Sequence, residues 1–281
     1  SLKDIADIQL VVGLQHDEPM VAFFVGVDKK KRFGIFPSRS LSLNTTGSSY
    51  FDELYLEYNG ILKDPSIHFS IDDLLGAVKD IPWDEFFLPG LSFDFVKETG
   101  VLTASAENLA LVLVNDESPA CYVDLDQVRG ANLDYLNLIS SNKRSQIRRS
   151  IKEYEKNGKL EVSEAKDRQQ ALMWFEEMVT LHQKEWKSRG RPGAFSNEYL
   201  FQFHKDLISS RFEYGEIQIL KIFNASMVIG ILYNFIYSDR AYFYQSGLNY
   251  LPGNIYRPGM VAHYYAILHN ARAGLIYYDF L

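Results

Sequence analysis

The stretch 216–281 restricts the fold more than any other part of the chain. Two strand-like runs, Glu216–Phe223 and Met227–Tyr237, flank the turn Asn224-Ala225-Ser226, and a third, Arg240–Ser246, follows Ser238-Asp239 directly. Connections this short join antiparallel neighbours. A Gly/Pro/Asn-rich loop, 247–256, comes next, then Arg257-Pro258-Gly259 opening an amphipathic helix, then the apolar run Leu275–Leu281. The free N–H groups of a helix's first turn, with the positive end of its dipole, suit a pyrophosphate. The order of elements therefore points to an enzyme that uses a phosphorylated carrier.

With 281 residues, the chain is expected to form two domains. Aromatic residues make up 14%, which favours aromatic-lined clefts without naming a ligand. A net charge of −7 argues against nonspecific binding to nucleic acid or to anionic membrane. The single cysteine, Cys121, excludes an internal disulfide framework and a multi-cysteine metal site. It fits a reducing compartment and reads as a small buried apolar residue. His68, His204, His263 and His269 lack metal-ligand spacing, so no metal is expected. No apolar run approaches the ~20 residues of a membrane span and no signal peptide is visible. The expectation is a soluble cytoplasmic protein.

In the first half, residues 8–14 and 20–27 read as a hairpin across His16-Asp17-Glu18-Pro19. Lys29–Arg32 reads as a solvated turn and Phe33–Tyr50 as irregular. Strands are expected at Leu54–Leu62, Glu85–Leu88, Leu109–Val114 and Ala120–Val123, with a short helix capped by Ser70. Asn142–Asn157 reads as a basic helix closed by Gly158, placing a domain boundary near 135–158. Lys159–Ala165 alternates as a strand. Asp167–Ser188 carries Ala171, Phe175, Met178, Val179, His182 and Trp186 at helical spacing and ends at Gly190. A second helix starts at Ser196 with an apolar stripe of Leu200, Phe203, Leu207 and Ile208. The second half thus reads β-α-α-β-β-β-α-β.

That order, with the carrier loop between the fourth strand and the next helix, resembles the GNAT N-acyltransferase superfamily. The residues carrying the likeness are Ser141-Asn142-Lys143-Arg144, Ile147-Arg148-Arg149, Leu181-His182 with Trp186, Arg189-Gly190, and Ile229-Gly230 with Leu232-Tyr233-Asn234-Phe235. Tyr242-Phe243-Tyr244-Gln245-Ser246-Gly247, Arg257-Pro258-Gly259 and Tyr278-Asp279-Phe280-Leu281 complete it. More narrowly, the wording is similar to CelD-like acetyltransferases of cellulose and exopolysaccharide biosynthesis, which are related to Fem-type aminoacyl transferases. The resemblance implies an α+β fold of tandem GNAT-like domains, with mixed, mostly antiparallel sheets flanked by helices. On this reading 1–140 is a degenerate copy, 141–158 a basic linker helix, and 159–281 the acyltransferase domain. Asp52-Glu53 and Glu57-Tyr58-Asn59-Gly60 resemble the first copy's counterpart motif. The second copy stops at its fifth strand, so the chain is expected to be a piece of a longer protein.

Acyl transfer from a thioester to an amine needs a polarised carbonyl, a deprotonated amine and a stabilised thiolate. The resemblance implies acetyl-CoA or another acyl-CoA as donor, with a main-chain N–H within Tyr244–Gly247 bonding the thioester carbonyl. Gln245, Ser246, Gly247, Arg257, Pro258, Gly259 and Met260 are the expected donor contacts; Gly259 would let phosphate oxygens approach, and Arg257 would add a charge. His182, Tyr244 and Asp279 are the candidate catalytic groups, and Trp186 and Arg189 the candidate acceptor contacts. Each has a plain structural alternative: a satisfied core histidine beside a packed tryptophan, a buried strand tyrosine, an aspartate facing solvent at a sheet end. The acceptor is expected to be a small molecule or saccharide. Arg144, Arg148 and Lys152 share one helix face, with Lys143 and Arg149 nearby. This is either a solvated face or contact with a polyanion such as tRNA, the donor carrier in the Fem-type relatives. No DNA partner and no membrane insertion are expected.

Overall fold

The computed structural model describes residues 6–48, 50–52, 56–103 and 117–281. It divides into two compact units, Ser1–Glu117 and Ser118–Leu281.

In the first unit β1 (Asp7–Gln15) and β2 (Glu18–Arg32) form the expected hairpin. The turn is only His16-Asp17, both left-handed at φ 52° and 66°, so Glu18 and Pro19 already belong to β2. Lys29–Arg32 is not a turn. It extends β2 against β3 (Phe36–Leu43), which replaces the irregular stretch expected there. The ladder is made by main-chain groups, so charged and serine-rich segments pair where neighbours supply partners; the Arg32 guanidinium bonds the Glu85 carboxylate. Ser40 and Ser42 are buried within β3. β4 is only Leu62–Lys63, on β2, and Asn59 makes a single bridge to Leu91. Helix α1 (Ile71–Ala77) starts at Ser70 with a reciprocal capping box to Asp73, and β5 (Glu85–Phe87) runs parallel to β3. Helix α2 (Phe93–Thr99), unanticipated, is capped by Ser92 and closed by left-handed Gly100. Val25, Leu41, Leu43, Leu74 and Val78 form the core. The expected strand Leu109–Val114, Glu53 of the counterpart motif and the start of Leu54–Leu62 lie outside the described residues.

The second unit contains β6 (Tyr122–Asp124), α3 (Leu125–Gly130), α4 (Ser141–Tyr154), β7 (Glu161–Glu164), α5 (Arg168–Ser188), α6 (Glu198–Arg211), β8 (Ile217–Phe223), β9 (Val228–Tyr237), β10 (Arg240–Leu248), α7 (Pro258–Arg272) and β11 (Tyr277–Asp279). The sheet order is β6-β11-β10-β9-β8-β7, parallel only between β10 and β11. Residues 122–138, expected with the first half, join this unit instead. Tyr122–Asp124 pairs with β11, and the Arg129 guanidinium bonds the carbonyls of Ala271 and Leu275 just after α7's last turns.

Two apolar layers cover the sheet. Helices α5 and α6 bury Ala171, Trp174, Phe175, Met178 and Ile208 against Ile217, Ile219, Ile231 and Tyr233. Helix α7 buries Val261, Ala262, Ala266 and Ala271 against Leu220, Ile222, Leu232, Ala241 and Tyr278. Helix α5 is capped by Asp167, as its spacing predicts. Helix α6 is capped by Asn197 rather than Ser196, because the Ser196 hydroxyl is turned back onto the Gly193 carbonyl. Its buried face carries His204 and Ile208, while Phe203 is exposed.

Two details of β10 position the site. A bulge at Tyr244 shifts its register with β9 between Phe243 and Gln245. At Gly247 any β-carbon would overlap the Met178 carbonyl of α5, so helix and strand backbones touch there. Gly247→Ala is expected to destabilise the chain by about 1–3 kcal/mol through overpacking. Gly130→Ala, at an open helical position, is expected to be neutral or slightly stabilising. Urea unfolding of the two variants reads the contrast; equal stabilities would refute the close approach.

Candidate active site at the parting of two strands

The parallel pairing of β11 with β10 covers Arg240, Ala241 and Tyr242 only, while β10 continues to Leu248 along β9. The Asn249 N–H donates to the Ile229 carbonyl at 2.9 Å. Antiparallel ladders alternate, so Gly247 turns its main-chain groups to β9, whereas Ser246 and Leu248 turn theirs to the side that β11 has left. The Ser246 carbonyl on that side is bonded by a side chain from α5: His182 Nδ1 lies 3.1 Å away. Among the described residues the Ser246 and Leu248 N–H groups have no strand partner on the same edge.

His182 stands on the inner face of α5 and is 6% exposed. A carbonyl only accepts, so Nδ1 carries the proton. Burial lowers the pKa of this imidazole, and the bond to Ser246 only partly opposes it. The ring is therefore neutral at pH 7, and Nε2 is a buried lone pair with no hydrogen-bond partner among the described residues. Trp186 and Phe195 flank the ring at 5.8 Å and 5.3 Å. A neutral imidazole with one nitrogen fixed and the other open has the form of a general base.

The start of α7 comes to the end of the same strand. Leu248 packs between Gly230 and Gly259, its Cδ1 3.3 Å from where a β-carbon of Gly259 would stand. Packing on β10 is thus one reason for a glycine at 259. The helix begins with Pro258 and has no side-chain cap. The main-chain N–H of Arg257 donates to Ser150 Oγ of α4 at 3.0 Å, which fixes the entry to the helix. The Arg257 guanidinium is exposed and makes no ion pair among the described residues. An uncapped helix start beside an exposed arginine fits a diphosphate.

Residues 141–281, half of the chain, match the family profile described as an acetyltransferase (GNAT) domain. The chain belongs to the GNAT acetyltransferase family. Among curated proteins no match is found. Solved structures with the same fold include FemX, at 12% identity and TM-score 0.54, covering 98% of this chain and 79% of that one. A C-terminal domain assigned to a lysylphosphatidylglycerol synthetase from Agrobacterium fabrum aligns at 11% identity and TM-score 0.55, over 98% of this chain and 70% of its own. A conserved protein of unknown function from Bacteroides thetaiotaomicron aligns at 9% and TM-score 0.57, over 99% and 77%. At these identities the neighbours show the fold alone.

Within this GNAT acyltransferase the sequence candidates do not gather at one point. His182, Trp186, Ser246 and Gly247 come together with the end of β10. Asp279 does not join them: it stands opposite Tyr242, four residues or about 13 Å along β10 from Ser246. It is fully buried rather than solvent-facing, and its Oδ2 accepts from Arg240 Nη1 at 3.0 Å. That guanidinium lies over the rings of Tyr122, Tyr242 and Tyr277 at 5.8, 5.6 and 4.6 Å. Arg189 is ion-paired with Glu185 and lies over the Tyr250 ring. Cys121 is exposed, not buried. Arg144 is tied to Asn137 and the Ile139 carbonyl, whereas Lys143, Arg148 and Arg149 are exposed. Among the described residues no His/Cys/Asp/Glu group is arranged to hold a metal ion, and no helix is long and apolar enough to cross a membrane.

Tyr244, the bulge residue, points into the α5–α6 layer, where its hydroxyl meets His204 Nε2 at 2.9 Å; His204 Nδ1 is 3.4 Å from the Tyr233 hydroxyl. Burial pushes the Tyr233 and Tyr244 phenols far up and His204 down to about 4. His263 of α7, beside Phe243, Tyr278 and Phe280, is likewise pushed down to about 4. Residue order gives no sign of either role, because the burial of both rings depends on partners distant in sequence. The unfolded chain, with imidazoles near 6.5, binds more protons than the folded chain between pH 6.5 and about 4. The histidine contribution is therefore complete above 6.5 and is lost as pH falls toward 4. Unfolding free energy is expected to drop by a few kcal/mol across that window. His204→Gln should flatten the slope; an unchanged slope in urea titrations would contradict the assignment.

Proposed function

We propose that the second unit moves an acyl group from an acyl-CoA thioester to a primary amine by direct attack. The observation that carries this reading is the edge of β10 unpaired among the described residues, with the buried His182 Nε2 unpartnered beside it. A main-chain N–H of Ser246 or Leu248 would hold the thioester carbonyl oxygen, where charge develops during attack. The amine nitrogen forms the new bond to the carbonyl carbon as the C–S bond breaks. The proton shed by the amine passes to His182 Nε2, and the departing thiolate takes one from solvent. The start of α7 and Arg257 would receive the donor's diphosphate. Tyr244 and Asp279 are given structural roles, as support for the bulge and as the pin of β10 to β11. An amine on a sugar or amino-acid-like acceptor, in exopolysaccharide assembly, is the finer reading that the CelD-like resemblance supports. A cytoplasmic setting is part of the same proposal.

A second reading keeps the fold and changes the donor to aminoacyl-tRNA. The exposed cations Lys143, Arg148 and Arg149 on α4 favour it.

Calorimetric titration of the chain with acetyl-CoA is expected to show saturable binding that His182→Gln preserves. In a thioester-consumption assay, the same variant is expected to lower kcat by about 10²–10⁴-fold. The acid limb of kcat/KM should lie below the ordinary histidine value of 6.5, because burial lowers the His182 pKa. Saturable tRNA binding without acetyl-CoA binding would replace the first reading by the second. Binding of neither would overturn both.

A further inference from the structure

The turn after α5 presents two arginines, and they differ in kind. Arg189 is already neutralised by Glu185, with Nη2 2.6 Å from Oε1. Arg191 makes no ion pair among the described residues, and its guanidinium lies over the Trp186 ring at 5.9 Å. The segment holding it is clamped to α5. The Arg191 N–H donates to the Trp186 carbonyl at 2.9 Å, and Gln183 Nε2 donates to the Pro192 carbonyl at 2.9 Å. Gly193, at φ +73°, seals the clamp, since a β-carbon there would overlap Gln183 Oε1 and crowd Trp186. A surface arginine on a loose loop is ordinarily only solvated. This one is held by its own backbone against the residue that flanks His182.

Trp186 thus lies between an imidazole at 5.8 Å and a guanidinium at 5.9 Å, which places the two within about 12 Å of each other. A short peptide or an amino sugar phosphate spans that distance. The whole chain carries a net charge of −7 and repels anions at long range, so an anionic acceptor needs a local cation. Guanidinium is suited to carboxylate and phosphate because its N–H groups form a planar fork.

We infer that Arg191 binds a carboxylate or phosphate on the acceptor and so sets which amines reach His182. The inference rests on the acyl-transfer reading above and deepens it. An acceptor held at its anionic end by Arg191 keeps its free amine turned toward the open Nε2. Acceptors without the charge lose that tether.

The test uses product-like probes, so that binding is read without turnover. N-acetyl-trialanine is compared with its C-terminal amide, and N-acetylglucosamine 6-phosphate with N-acetylglucosamine, by calorimetry on the full chain. In at least one pair the charged member is expected to bind about tenfold more tightly, and which pair responds separates carboxylate from phosphate. Arg191→Met should remove the preference, Arg191→Lys should keep part of it, and Arg189→Met should leave it in place. Equal binding within both pairs, no binding of any probe, or a preference that survives Arg191→Met would overturn the inference. Acetyl-CoA titration of the same Arg191→Met protein separates the two claims. Retained donor binding with lost anion preference supports Arg191 alone as the anion contact, whereas loss of donor binding from the unaltered chain strikes at the acyl-transfer reading itself.

Discussion

The second unit depends on where one pair of strands stops pairing. β10 and β11 share three residue pairs and then part, and β10 runs on to Leu248 along β9 alone, interrupted by the bulge at Tyr244. Main-chain donors without partners are costly when buried, so such an edge persists only where the surroundings hold it. Three contacts do so here. Gly247 meets the backbone of α5, Leu248 is wedged between Gly230 and Gly259, and the Ser246 carbonyl is taken by His182. The bond that satisfies the strand also fixes the imidazole tautomer, so one contact both supports the edge and orients the proposed base.

At the other end the parting is pinned by Arg240 and Asp279. A carboxylate at zero exposure is tolerable because a guanidinium faces one oxygen and the Leu281 N–H donates to the other. That guanidinium is itself sheltered by three tyrosine rings from β6, β10 and β11. The pin ties together the strands that meet before the gap. Its position explains why an acidic residue can end a strand of this sheet without belonging to the chemistry beside His182.

Much of this was legible from periodicity and turn chemistry. The meander 217–248 was marked by short turns, and α5 by apolar residues at helical spacing from Ala171 to His182. What stayed hidden depends on partners distant in sequence. The serines of β3 read as irregular until β2 and β5 supply its ladder, and Tyr122–Asp124 joins the second sheet only because β11 lies beside it. Asp279 read as a group that could orient or deprotonate an amine, because sequence cannot show that Arg240 pairs with it. Arg191 was passed over for Arg189, since nothing in the residue order tells which of the two Glu185 neutralises. Helical spacing on an apolar face reads equally as a core histidine, and His182 became a candidate only through the family resemblance; its unpartnered Nε2 follows from the bond that takes Nδ1 to Ser246.

The central claim is that the outer edge of β10 carries free main-chain donors that a thioester fills. Residue-resolved amide hydrogen exchange, with and without saturating acetyl-CoA, addresses it directly. The account predicts fast exchange at Ser246 and Leu248 in the free chain and strong slowing at one or both when the donor binds, with Gly247 already protected by β9. Protection of Ser246 and Leu248 before any donor is added, or donor binding that leaves both unchanged, would contradict it.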